Sequence, residues 1–109
     1  MSEAEILLLR RRARAEKSLN DAALTAFHRK ALDAMQDADG GEQVRLRALQ
    51  QVGKWERDHL CHSHYVTEWR RILALPATAM PPAILREDDE GVALRQNSPF
   101  GFLVHDDAP

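Results

Sequence analysis

Cysteine is nearly absent from this chain: Cys61 stands alone among 109 residues. A single thiol closes no intrachain disulfide, which excludes a disulfide-stapled scaffold and gives no reason to invoke an oxidising compartment. Long apolar runs are missing too. The N-terminal run Ile6-Leu7-Leu8-Leu9 is followed at once by arginines. A signal peptide places its charges before a longer apolar stretch, and a membrane span needs about 20 apolar residues. A cytoplasmic protein without membrane contact is therefore expected. Aromatic residues make up 6%, and alanine and leucine supply most of the apolar content. That balance favours helices over sheets. The chain also lacks a glycine-rich phosphate loop, a G-x-S-x-G elbow and an H-E-x-x-H pair. Neither a catalytic residue nor a cofactor is expected.

What is present suits one packed domain. Hydrophobic residues, at 44%, are too many for wholesale disorder, and the length leaves room for a single core. The net charge of −2 hides a gradient. Residues 1–75 sum to +2 and residues 76–109 to −4, so the acidity lies at the C-terminal end. This split falls short of a nucleic-acid signature.

From Ala48 to Leu73 the chain keeps an unbroken 4-3 step: Ala48, Val52, Trp55, His59, His62, Val66, Trp69, Leu73. Such a step is the a/d seam of a helix lying against another helix. It predicts one long helix over about 42–75, roughly 50 Å at 1.5 Å per residue. Leu46, Leu49, Gly53 and Leu60 form a second arc on its flank. A helix with two apolar arcs meets more than one neighbour. The preceding helices would fill one arc, and the C-terminal segment or a second copy the other. A homodimer through this helix is expected, because a chain this short buries only about 60–65% of its unfolded surface.

Ser2 with Glu5 three residues on has the form of a capping box. Up to residue 39 the pattern allows either one continuous helix or a restart near Ser18 or Asn20. Gly40-Gly41 is a stop, through glycine's access to the left-handed conformation. A short fourth helix from Ala83 to about Asp88 is predicted, with Pro82 in its first turn and Gly91 closing it. The acidic run Glu87-Asp88-Asp89-Glu90 would then oppose that helix's dipole. Asn97-Ser98-Pro99 reads as a turn, and Phe100 to Val104 as an extended strip. The expected architecture is all-α: a small helical bundle over 1–95 with one long helix and a short fourth helix, then an extended C-terminal tail over 96–109.

The densest chemistry is Asp58-His59-Leu60-Cys61-His62-Ser63-His64. A structural zinc site wants four ligands, usually as two separated pairs, and a helix would spread these around its circumference. No metal site is expected; His59 and His62, meeting their symmetry mates, are the sole alternative. Arg10, Arg11, Arg12, Arg14 and Lys17 form the strongest basic cluster and carry a second alternative, contact with DNA phosphates. The leading expectation is a non-enzymatic regulatory, inhibitor or adaptor protein acting through protein–protein contact. Trp55, Val66, Trp69 and Leu73 would anchor the helical contact, and Phe100 and Phe102 a docking tail.

Overall fold

The N-terminal ambiguity resolves into one continuous helix, α1 (Glu3–Gln36). The computed structural model describes residues 2–106, excluding the side chains of residues 14–19, 105 and 106. Arg14 and Lys17 thus lie outside the described side chains. The Ser2 hydroxyl accepts the Glu5 N–H at 3.2 Å, satisfying one of the first-turn donors. The remaining elements are α2 (Gly41–Asp58), α3 (Ser63–Leu73), α4 (Met80–Ile84), α5 (Asp89–Gln96) and α6 (Phe102–Asp106). The chain is all-α, and no strand occurs among the described residues. None of the described helices is long and apolar enough to cross a membrane.

The long helix expected over 42–75 is instead a hairpin of α2 and α3. His59 ends α2 in the left-handed conformation, at φ 53° and ψ 40°, the only positive φ among the described residues. The Leu60 N–H reaches back to the Trp55 carbonyl at 3.0 Å, closing the turn as a Schellman-type cap. His62 then caps α3, its Nδ1 accepting the His64 N–H at 3.1 Å. A left-handed residue costs about 1–2 kcal/mol, with histidine among the better-tolerated types. Folding α3 back buries Trp69, Ile72 and Leu73 completely, each contributing about 1.5–3 kcal/mol. The burial outweighs the strain. The two halves of the seam thus close on the same core, and Arg45, near the start of α2, donates to the Leu73 carbonyl that ends α3.

Four further expectations change. The Gly40-Gly41 stop stands, but Gly40 has φ −165° and no glycine is left-handed. Gly41 is needed for close approach: a Cβ there would lie 2.0 Å from the Met35 carbonyl oxygen. The fourth helix begins at Met80, with Pro81 and Pro82 in its first turn. The acidic run starts a new helix instead of ending one. Asp88 caps α5 by accepting the Gly91 N–H at 2.9 Å, and Asp89 and Glu90 complement the dipole. Finally, the strip after Pro99 is a turn followed by α6, so the alternation of Phe100, Phe102 and Val104 does not apply.

The core joins Ala31 and Leu32 of α1 to Ala48, Val52, Val66, Trp69, Ile72 and Leu73 of the hairpin. Met80, Ile84, Leu94 and Phe100 close it from the C-terminal side. The principal extents are 56 × 30 × 29 Å, and the radius of gyration is 16.4 Å. A compact domain of this size has about 13 Å. The excess follows from α1, whose 34 residues span about 51 Å and whose buried residues, among those described, all lie in its second half.

Candidate functional site

The seam anchors proposed from the sequence separate into interior and surface groups. Val66, Trp69, Leu73 and Phe100 are buried within the chain itself, at 3, 0, 0 and 0% exposure, which removes them from any contact surface. Trp55 and Phe102 remain half-buried and border the same depression. The physical reason is the hairpin: α3 supplies the partner surface that the seam required, so its inward residues never meet solvent.

At the centre of the interior group lies His28, which no sequence motif singled out. Its Nδ1 is 2.7 Å from the Leu24 carbonyl oxygen, and its Nε2 is 2.8 Å from the Ser98 hydroxyl. A carbonyl only accepts, so Nδ1 carries the proton and the neutral ring accepts from Ser98 through Nε2. The Ser98 oxygen in turn accepts the Phe100 N–H at 3.2 Å. Trp69 stacks on the imidazole, with centroids 6.1 Å apart, and Phe100 meets it edge-on at 5.8 Å. The Trp69 indole N–H donates to the Asn97 carbonyl at 2.7 Å. Burial lowers the His28 pKa below its ordinary value; the Leu24 contact works against this and the Arg95 charge works with it. The Ser98–His28 pair has the spacing of a nucleophile and its base. Here the base is oriented by a backbone carbonyl and enclosed by aromatic rings, and the pair fastens the C-terminal segment to α1.

Arg95 is the second buried polar side chain, 5% exposed. It donates to the Ile84 and Arg86 carbonyls at 3.0 and 2.7 Å, capping the C-terminal end of α4 with a cation. Of the two, only His28 carried a faint signal. His28 sits four residues from Leu24 and from Leu32, on the apolar stripe of α1. Arg95 follows Leu94 directly, with nothing local to mark it as buried.

The depression bordered by Trp55 and Phe102 continues along α2. Two hollows of 740 and 390 Å³ share Gln51 and Phe102. Leu46, Leu49, Gly53 and Phe102 form the floor of the larger one. Leu46, Leu49 and Gly53 belong to the second arc read from the sequence, whereas its fourth member, Leu60, lies exposed between α2 and α3; the C-terminal segment is laid along one edge of the hollow. Arg47, Lys54 and Arg57 rim it, and no carboxylate among the described residues lines it. The Arg47 guanidinium lies 4.3 Å from the Phe102 ring centroid, a cation–π contact that holds α6 against α2. Gly53 leaves room for Arg57, whose Nη1 is 3.5 Å from the place a Cβ would take.

The other candidates do not converge. His59 and His62 are exposed in the turn between α2 and α3, and His62 Nδ1 is occupied by the His64 N–H. No group of three or more His, Cys, Asp or Glu residues is placed to hold a metal among the described residues. Arg10, Arg11 and Arg12 are exposed on the first half of α1, where consecutive positions point 100° apart and build no stripe. No family model, curated protein or solved structure matches this chain.

Proposed function

We propose that the protein is a non-enzymatic regulatory or adaptor module that binds an amphipathic, acidic helix of another protein along the α2–α6 groove. One observation carries the reading: an open groove with an apolar floor, whose charged lining residues are all basic among the described residues. Leu46, 40% exposed, and the half-buried Leu49, Trp55 and Phe102 offer anchor positions for apolar side chains at helical spacing. Lys54 and Arg57 form no ion pair among the described residues, so acidic flanks would meet cations that are not already neutralised. The hydrophobic contact supplies affinity and the charged rim supplies orientation and choice of partner.

A designed peptide tests it: leucines at i, i+3/i+4 and i+7 with glutamates flanking them, against a control with lysines in their place. Trp55 is the natural reporter, since Trp69 is enclosed in the core. The acidic peptide should change the indole emission saturably, and a Lys54→Glu/Arg57→Glu variant should lose that response. Equal binding of both peptides, or of neither, would overturn the reading.

A further inference from the structure

The first turns of α1 stand outside the bundle. Residues 2–13 are all exposed, including Ile6, Leu7, Leu8 and Leu9 at 37, 52, 50 and 50%. Ser2, Ile6, Leu9 and Ala13 follow a 4-3-4 step, so they share one face of this arm. Glu5 and Arg12 flank that face on one side, and Glu3 and Arg10 flank it on the other. We infer that this arm pairs antiparallel with the same arm of a second copy, through the Ile6 and Leu9 face.

The argument is charge complementarity under two-fold symmetry. In an antiparallel pair centred between Leu7 and Leu8, Ile6 of one copy meets Leu9 of the other, and Ser2 meets Ala13. Flanking positions on the same side of an antiparallel seam face each other. Glu5 then faces Arg12 and Glu3 faces Arg10, each twice by symmetry: four opposite-sign pairs and no like-sign one. A parallel pair would join only Glu5 to Arg10, twice by symmetry, and leave Glu3 and Arg12 unmatched among residues 2–13, two opposite-sign pairs in place of four. The overlap also has room. With position 2 opposite position 13, each bundle lies beyond the far end of the other copy's arm. Leu7 and Leu8 point away from the seam, which makes the contact short and its assembly dependent on concentration.

This surface is separate from the α2–α6 groove, so either can fail alone. Sedimentation equilibrium of the full chain should show a monomer–dimer equilibrium. Leu9→Glu should give a monomer with the helical circular dichroism retained. Glu5→Arg and Arg12→Glu should each weaken the dimer about tenfold, since each turns two attractive contacts repulsive. Glu5→Arg/Arg12→Glu together should restore it. A wild-type chain that stays monomeric at every concentration would overturn the inference. So would a dimer indifferent to Leu9→Glu, or one that the double reversal fails to rescue.

Discussion

The two halves of α1 share one helix and have opposite surroundings. From Asp21 onward, Leu24, His28, Ala31 and Leu32 turn towards the hairpin and α5, and His28 is enclosed by Trp69 and Phe100. From Glu3 to Ala13 every described side chain is exposed. An isolated helix of such length is marginal in water, because nucleation is costly and few hydrogen bonds reward it. Continuity with the packed half removes the nucleation cost, and the Ser2 cap holds the other end. Helical structure in the arm is therefore inherited, whereas in the second half it is enforced by burial.

That contrast can be broken or sharpened by measurement. The largest effect should come from Trp69→Ala. Removing a fully buried indole with its bond to the Asn97 carbonyl should cost about 3–5 kcal/mol in urea unfolding. Next is pH. Burial depresses the His28 pKa, so as pH falls below the unfolded value of 6.5 the unfolded chain takes up a proton before the folded one does. Stability is thus full above pH 6.5 and declines below it, until the depressed folded value is passed, at up to about 1.4 kcal/mol per pH unit. His28→Gln should flatten that slope. A slope unchanged by the substitution would mean that the ring takes up its proton inside the fold without penalty. A smaller, opposite effect is expected from His59→Gly, which relieves the left-handed strain and should stabilise the hairpin by about 1 kcal/mol. Smallest is Leu9→Ala in dilute solution, which should stay within about 0.5 kcal/mol of the parent, as for an exposed site.

Much of the fold was legible because its signals are local. The Ser2 cap, the halt at Gly40-Gly41, Pro82 in the first turn of α4 and the turn at Asn97-Ser98-Pro99 all rest on one or two residues and their nearest backbone. The seam was legible in its members: Ala48, Val52, Val66, Trp69 and Leu73 are all buried. Its shape was not, because the break falls at His59 and His62, where no glycine or proline marks it. The same periodicity describes a straight rod and a hairpin folded about its own seam. The second arc of α2 was legible as a surface needing cover, and Phe102 does border it. What the sequence did not reveal is that Phe100, two residues earlier, turns inward against His28 and Trp69. Reading the strip as extended placed both rings on one side; α6 separates them.

Composition and periodicity alone determined the helical class, the Ser2 cap and the burial of Ala48, Val52, Val66, Trp69 and Leu73, since each depends on neighbours within a turn or two. Tertiary structure decided where the rod folds, which tryptophan stays at the surface, and why a histidine and an arginine lie inside. Those outcomes weigh a local cost, such as a left-handed histidine or a desolvated ring, against burial gathered from segments far apart in the chain. That sum exists only once the segments have met.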